Sequence, residues 1–524
     1  MSQLTKRFPS SSVPLPDTVN HAGGVAYTAD PQEVLAELLL LGTFGNTYYA
    51  SGDQWATRTA DLCKRMAKED PHFLAQAAVV ARTEGYIRSA PLVALAALLG
   101  VSNEAKTYGR RIFSTIIRTG DDLRNFVGLM ESKQFRQGFG GISRRLVAEW
   151  LNTQLTAYQA VKYAGSGDQF SLRNILRLAH PAPSTATQDA IFQWLVKGTT
   201  NEATPSLIHA LADLQAGSLD PVTAITREGL PFEAVTGRLS SMPKAVWVAL
   251  LTHAPYMFLL RSLEAMGKAG VWEDPENVDR AMEILGDPAR IHKAMLFPFR
   301  YYTALLTITP EHVPSQLVDM LYTALETAVG NLPDLGQGHV AIAPDISGSM
   351  QGTYVDKRQN TNAAAIAGIF TGALWHQHPT ARILPFDTVI HPVTTHHRDS
   401  VMTIARTLAN MDGGGTDLSV PIRWLAEHRE VVDLFIGLTD SEDWSASGGW
   451  YGHGNFAVSW KAYKQIAPHA QAVLIQLVPN GTRPTPSSDS SVHYVYGWSD
   501  AVLRYIAHVA QGSSMIQHIR ETVV

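Results

Sequence analysis

Apolar residues recur at helical spacing along the chain as far as Gly336. Val34, Leu35, Leu38 and Leu39 form the first such set, and no stretch from Pro31 onward alternates apolar and polar residues as a half-buried strand does. The same period predicts further helices at 72–83, 90–100, 142–164, 189–198 and 315–330. Because each helix is too short to bury its apolar face alone, we predict a HEAT-like array of helices that complete one another's cores, with a large irregular bundle as the alternative.

The pattern changes at the segment NLPDLGQG, residues 331–338, from helices alone to strands that alternate with helices. Four continuous apolar runs are typical of parallel strands buried on both faces, at 339–345, 381–390, 431–440 and 470–479. The predicted helices between them lie at 361–377, 400–411, 418–429 and 455–467. We therefore predict two domains, an α-helical one at 1–337 and a doubly wound α/β one at 338–524.

Length and composition favour the same division. A chain of 524 residues exceeds the roughly 250–300 residues at which single cores stop growing. Its one cysteine, Cys63, excludes an intramolecular disulfide and a zinc site of paired thiolates, so we expect a reducing compartment, the cytoplasm. The longest apolar stretch, 91–101, is shorter than the roughly 20 residues that span a bilayer, so we expect no membrane insertion.

The net charge is only −5, so any surface that binds a polyanion must be local. Between Lys106 and Arg177, twelve Lys and Arg residues face five acids, which gives this segment a charge of +7. Solvated helix faces are the ordinary explanation of such a segment, and a shared basic surface is the alternative. Our candidate residues for that surface are Lys133, Arg136, Arg144, Arg145, Lys162, Arg173 and Arg177.

Polar side chains collect where the predicted strands end. Asp345, Ser347 and Ser349 follow the first strand, Asp440 ends the third, and Thr416 follows three glycines in a loop. Ligands of open α/β sheets bind at this edge, beyond the carboxyl ends of the strands. Two carboxylates and three hydroxyls, completed by waters, suit octahedral Mg²⁺ or Mn²⁺ better than Zn²⁺. The five residues therefore predict a site for one hard divalent cation, with a site that only ties loops together as the alternative.

The order of DxSxS, GGGTD and TD on this α/β pattern closely resembles the metal-ion-dependent adhesion site of von Willebrand factor A domains, over residues 339–520. Hydroxyl ligands leave such a cation electron-poor, so we expect it to take an external carboxylate or phosphate. The resemblance implies that this domain binds a carboxylate-bearing ligand.

The helical part resembles the TROVE module of the Ro autoantigen family. The resembling stretches are FGNTYY at 44–49, GFGGISRRLVAEWLN at 138–152, the Lys162–Tyr163 pair, LRNILRLAHPAPS at 172–184 and LFPFRYYTALLT at 296–307. With an A domain following in the same order, the resemblance covers residues 20–520 and is closest to the bacterial type of Ro protein. It implies a ring of HEAT-like repeats whose basic cavity takes single-stranded RNA ends and whose outer surface holds a Y-like small RNA.

Two residues that the family uses on the outer surface match Lys162 and His180, and His180 precedes a proline, where a helix is expected to end. A third, an arginine, falls on Gly165 or Ser166, so this part of the RNA contact is either weaker here or moved to neighbours such as Arg173 and Arg177. Lys and Arg on helices neutralise phosphates without reading bases, which predicts recognition by shape and charge. Tyr48, Tyr49 and Trp150 are better explained as core residues.

Our first hypothesis is a monomeric, noncatalytic RNA-binding protein that acts in RNA quality control. The resemblance implies an exoribonuclease partner, polynucleotide phosphorylase, tethered through the Y-like RNA. The second hypothesis is a metal-dependent protein-binding module, in which the helical array also docks proteins. An enzyme in which the cation activates water is a third, which the absence of a well-placed base disfavours.

Overall fold

The computed structural model of the chain describes residues 13–20, 23–41, 52–135, 139–164, 170–237, 239, 242–332, 334–336, 338–352, 354–356, 361–396, 398–440, 456–477, 482–496, 500–510 and 514–524. Between 31 and 332, no strand interrupts the helices of this described part. The helices are α1 (Pro31–Leu41), α2 (Gly52–Glu69), α3 (Pro71–Thr83), α4 (Ser89–Gly100), α5 (Asn103–Ile116), α6 (Gly120–Glu131), α7 (Gly141–Thr153), α8 (Ala157–Tyr163), α9 (Leu172–Ala179), α10 (Ala186–Lys197), α11 (Ser206–Ala216), α12 (Pro221–Thr226), α13 (Phe232–Thr236), α14 (Lys244–Thr252), α15 (Tyr256–Lys268), α16 (Pro275–Gly286), α17 (Pro288–Ala294), α18 (Pro298–Thr307) and α19 (Ser315–Ala328), with short 3₁₀ helices at Val271–Glu273 and Val329–Asn331.

Local capping residues set where these helices begin and end. α3 begins after Asp70, whose carboxylate accepts the Phe73 N–H at 3.0 Å. α10 ends at Gly198, whose φ of 77° lies in the left-handed region that favours glycine. The single helix predicted at 142–164 is in fact two, because the Thr156 hydroxyl accepts the Gln159 N–H at 3.2 Å and starts α8 as a separate helix.

The first helices of the array pack in two layers. α3 packs against α5, α5 against α7 and α7 against α9, while α4 packs against α6 and α6 against α8. Each helix from α3 to α7 therefore contacts the helix two places further along the chain, and the same relation recurs among α12, α14 and α16. This is how a helical repeat array completes its core, and it confirms the predicted HEAT-like architecture.

The C-terminal part of the chain is built on a five-stranded sheet. All five strands are parallel, in the order β10-β8-β7-β3-β6. The order reverses at β3, because the chain adds β6 on one side of it and then β7, β8 and β10 on the other, as in the predicted doubly wound fold. The strands of the described ranges are β1 (Thr18–Val19), β2 (Val25–Thr28), β3 (Val340–Pro344), β4 (Tyr354–Asp356), β5 (Thr361–Asn362), β6 (Arg382–Ile383), β7 (Leu434–Thr439), β8 (Gln471–Gln476), β9 (Thr482–Arg483) and β10 (Val492–Tyr496). The helices of this part are α20 (Gly348–Gly352), α21 (Ala363–Gln377), α22 (Val401–Ala409), α23 (Val420–Glu427), α24 (Phe456–Tyr463), α25 (Asp500–Ala510) and α26 (Met515–Glu521).

The four predicted strands correspond to β3, β6, β7 and β8, and the sequence did not predict β1, β2, β4, β5, β9 or β10. β2 pairs antiparallel with both β1 and β9, so the N-terminal segment forms a small sheet with the C-terminal part of the chain. By their contacts, residues fall into two compact units, one of Met1–Ala56, Met295–Thr303 and Leu325–Glu521, the other of Thr57–Ala294, Ala304–Ala324 and Thr522–Val524. This division assigns the segment up to Ala56 differently from the prediction, which placed it in the helical domain at 1–337.

Among the helices of the described ranges, none combines the length and the apolar character that a membrane crossing requires.

Candidate metal centre and basic helix surface

The predicted metal residues meet at the carboxyl edge of the sheet, where β3 and β7 lie side by side. The Asp345 N–H donates to the Leu438 carbonyl at 2.9 Å, which holds the end of β3 against β7. Asp345 Oδ1 accepts the Ser347 N–H at 2.9 Å, and Ser347 Oγ lies 3.1 Å from Ser349 Oγ. Asp440 is buried directly after the end of β7. The edge therefore carries two carboxylates and two hydroxyls of the predicted set.

The fifth predicted residue, Thr416, is buried in a loop that closes over the same turn. The Gly348 N–H donates to the Gly414 carbonyl at 2.8 Å, which joins the loop to the turn after β3. A Cβ at Gly413 would overlap the Ile346 carbonyl oxygen, so only glycine permits this close approach of the two backbones. Gly413 is thus required for the loop to lie against the turn.

Two buried acids, Asp345 and Asp440, lie at one edge and create an electrostatic cost that a bound cation would remove. Burial raises the pKa of Asp345, and the nearby charge of Asp440 raises it further, against hydrogen bonds from Ser347 and Thr439 that lower it. Within the described ranges, no three His, Cys, Asp or Glu side chains come together as a metal cluster, so hydroxyls must complete any site here. The donor set of carboxylates and hydroxyls fits one hard divalent cation.

Most of the predicted basic residues are exposed on the helical array. Arg144 and Arg145 lie on α7 and Arg173 and Arg177 on α9, all four exposed, while Lys133 is exposed just after α6. Arg136 lies outside the described residues.

His180 and Lys162 have different surroundings. His180 ends α9, is exposed and has a φ of 47°, so the helix stops before Pro181 as expected. Lys162 Nζ lies 3.1 Å from Glu233 Oε1, and its side chain is 27% exposed. Desolvation lowers the pKa of Lys162, but the hydrogen bond and charge of Glu233, together with Tyr163 and Tyr158, leave it above its ordinary value. Its charge is therefore already compensated within the protein.

Two exposed arginines that we did not select, Arg110 and Arg111, lie on α5. Because α5 packs against α7 and α7 against α9, three successive helices of one layer each carry two exposed arginines. Among the residues that the structure describes, no acid forms an ion pair with any of the six. The arginine pairs are visible in the sequence, but their placement on every second helix of the array becomes apparent only in the structure. The six are Arg110, Arg111, Arg144, Arg145, Arg173 and Arg177.

Trp150 is a core residue, as expected. It is buried and donates its indole N–H to the Ile117 carbonyl at 2.9 Å. Tyr48 and Tyr49 lie outside the described residues.

Comparisons with known proteins match both parts of the chain. The TROVE domain family matches residues 45–215, and the Ro60 vWA domain family matches residues 339–510. The RNA-binding protein RO60 of Deinococcus radiodurans is 28% identical over 451 residues, which cover 81% of this chain and 83% of that protein. The RNA-binding protein RO60 of Caenorhabditis elegans is 21% identical, over 81% of this chain and 80% of its own length.

A solved structure shows the same fold. The crystal structure of the Deinococcus radiodurans Ro (Rsr) protein superposes with a TM-score of 0.71 at 22% identity, and the match covers 92% of this chain and 100% of that one. In this chain the TROVE match lies in the helical array, and the Ro60 vWA match follows it in the part built on the parallel sheet. The chain combines a TROVE domain with a Ro60-type von Willebrand A domain and belongs to the Ro protein family.

Proposed function

We propose that this protein is a noncatalytic RNA-binding protein. It holds a Y-like small RNA on the outer surface of its helical array and takes single-stranded RNA ends into a central cavity. The observation that carries the proposal is the set of six exposed arginines on α5, α7 and α9, which lack acidic partners among the described residues. That its relatives are named RNA-binding proteins supports the same conclusion.

The chemistry of these side chains suits a phosphate backbone. A guanidinium is always charged and donates two parallel hydrogen bonds, so pairs of exposed arginines bind phosphate oxygens without reading bases. Three helices at successive positions of an array present such pairs at intervals along one layer. We expect selection of RNA by shape and by the presence of an unpaired tail, with an affinity that falls steeply with salt.

The metal site adds a second binding function to this proposal. Asp345, Ser347, Ser349, Thr416 and Asp440 would hold one Mg²⁺, or Mn²⁺, at the carboxyl edge of the sheet. A bound cation supplies an electron-poor centre that accepts a carboxylate or phosphate oxygen at an open coordination position. A protein partner with an exposed acidic side chain fits this centre. For the protein as a whole, we propose a role in RNA quality control in the cytoplasm, together with an exoribonuclease such as polynucleotide phosphorylase.

Filter binding of two RNAs tests the proposal. One is a stem-loop with a single-stranded 3′ tail, the other the same stem with a blunt end, each measured from low to high salt. We expect tighter binding of the tailed RNA, and a log–log slope against salt that corresponds to several phosphate contacts. Weak binding of both RNAs with a flat response to salt would contradict RNA binding and favour the metal-dependent protein-binding module instead.

A pull-down separates the RNA function from the proposed partner. The exoribonuclease should be recovered with the protein from cell extract, and treatment with ribonuclease should release it if an RNA tethers the two. Recovery that survives ribonuclease would indicate direct protein contact. Pure protein with Mg²⁺ should leave labelled RNA intact, since we propose no catalytic role.

A further inference from the structure

We propose that Asp387 is a positioning residue for the metal centre, which fixes the loop that carries Thr416 before any cation binds. Asp387 is not part of the predicted ligand set, and it is buried just beyond the end of β6. The inference rests on the metal site proposed above and names the residue that preorganises it.

The carboxylate of Asp387 holds the loop through its backbone. Oδ2 accepts the Gly414 N–H at 2.9 Å, two residues before Thr416. The Asp387 carbonyl accepts the Asp417 N–H at 2.9 Å, directly after Thr416. Thr416 is therefore bracketed by two hydrogen bonds to one residue, which restricts the backbone that sets the direction of its hydroxyl.

The other carboxylate oxygen keeps Asp387 itself in place. Oδ1 accepts the Val389 N–H at 2.9 Å, and His391 Nε2 lies 3.0 Å from the same oxygen. Both oxygens of the carboxylate therefore face donors, and a side chain with only one acceptor oxygen cannot replace it.

The opposite side of the loop is held by the turn after β3. The Gly414 residue that donates to Asp387 also accepts the Gly348 N–H through its carbonyl, at 2.8 Å. A single residue of the loop, Gly414, thus connects Asp387 to the turn that carries Ser347 and Ser349. A shift of Asp387 would move Thr416 relative to the other ligands, and groups that orient metal ligands typically change metal affinity by 10–100-fold when they are replaced.

The decisive variant is Asp387→Asn, because its amide places an N–H₂ donor where a backbone N–H needs an acceptor. Hydrogen exchange in the full-length protein with EDTA should show faster exchange of the segment 411–418 than in wild type. Asp489→Asn is the matched control, since Asp489 also accepts two hydrogen bonds, from Ser491 N and Oγ, but precedes β10 at the opposite edge of the sheet. We expect no change at 411–418 in that control.

Titration with Mn²⁺ by calorimetry then shows whether the effect reaches the metal. Asp387→Asn should weaken Mn²⁺ binding by roughly 10-fold or more. In a Thr416→Ala background the same substitution should change the affinity by less than about twofold, because a positioning residue acts only through the ligand that it positions. His391→Gln, a milder change of the same contact, should give a smaller loss in the same direction.

The outcomes are distinct. Unchanged exchange at 411–418, or a loss of Mn²⁺ affinity that persists in full in the Thr416→Ala background, overturns the positioning role alone. If wild-type protein binds no Mn²⁺, the metal site and the role of Asp387 toward it are both overturned. Faster exchange in EDTA together with a loss of affinity that depends on Thr416 supports the proposal.

Discussion

Arg483 and Glu37 form a fully buried ion pair, although 446 residues separate them in the sequence. Both terminal nitrogens of the guanidinium lie 3.3 Å from Glu37 Oε2, and one also donates to Gln476 Oε1 at 3.0 Å. The guanidinium carbon lies 4.5 Å from the centre of the Tyr494 ring. Because Glu37 belongs to α1 and Arg483 to β9, this pair anchors the N-terminal helix to the α/β part of the chain.

Arg483→Met should lower the free energy of unfolding of this unit by about 3–5 kcal/mol, since it leaves the Glu37 carboxylate buried without its countercharge. The measurement is a urea unfolding curve of each protein. Arg382→Met is the matched control, because Arg382 pairs with Glu430 at 2.6 Å but is 54% exposed, and an exposed pair contributes about 1 kcal/mol or less. Equal losses of unfolding free energy in the two variants would show that the buried pair contributes no more to stability than the exposed pair.

Mg²⁺ should stabilise the wild-type protein, since a ligand that binds only the folded state adds about 2.7 kcal/mol at a hundred times its Kd. Asp345→Asn removes a proposed ligand and should abolish the rise of Tm with Mg²⁺. Asp399→Asn should keep that rise, because Asp399 accepts the His396 N–H just before α22, away from the carboxyl edge. Thermal unfolding in EDTA and in Mg²⁺ measures both, and a full Mg²⁺ response in Asp345→Asn would contradict the assigned site.

His493 should make the α/β unit less stable in mild acid. Burial lowers the pKa of His493 to about 4, although Asp489 raises it, and Nε2 lies 2.9 Å from Gln471 Oε1. An unfolded histidine titrates near 6.5, so the unfolded state binds the proton first, and stability falls as the pH drops from about 6.5 to 4.

We expect this group to remove about 2–3 kcal/mol between pH 7 and pH 4.5. His493→Gln should flatten that dependence in urea unfolding curves, whereas the exposed His209→Gln should leave it unchanged. Parallel curves for wild type and His493→Gln would show that the proton taken up on unfolding belongs to another group.

Local periodicity was enough to predict most of the fold, because the apolar spacing of a long amphipathic helix or a buried strand can be recognised within one contiguous segment. It failed where stability comes from distant partners. β2 has only four residues and pairs with β9, more than 450 residues further along. β10 follows a polar run and carries His493 inside the sheet, so its pattern is weaker than that of β7 or β8.

The candidate site likewise contains residues that the sequence was sufficient to predict and residues that it was not. Asp345 and Asp440 follow apolar strands, and the rule that parallel strands share one carboxyl edge is sufficient to place them together. The sequence did not single out Asp387, because the predicted strand at 381–390 placed it inside a strand, whereas β6 ends at Ile383 and leaves Asp387 at the carboxyl edge of the sheet. The ion pair of Lys162 could not be predicted from the sequence either, since its partner Glu233 lies on a different helix, far along the sequence.

Replacement of the exposed arginines of α7 tests the RNA surface most directly. Arg144 and Arg145 are exposed and lie at the centre of the layer formed by α5, α7 and α9. The double variant Arg144→Ala, Arg145→Ala should weaken binding of the tailed stem-loop at every salt concentration and lower the log–log salt slope by roughly 2, about one per lost phosphate contact. Filter binding over a salt series measures both quantities.

Arg227→Ala, Arg261→Ala is the matched control, because both residues are exposed arginines of the helical array that lie outside α5, α7 and α9. Loss of two charges there lowers the net charge equally but removes no proposed contact, so the slope should stay within the error of wild type. Both double variants should unfold within about 0.5 kcal/mol of wild type, since surface substitutions seldom change stability by more. If the two variants lose affinity and slope to the same extent, long-range charge rather than a defined arginine surface governs the binding of RNA.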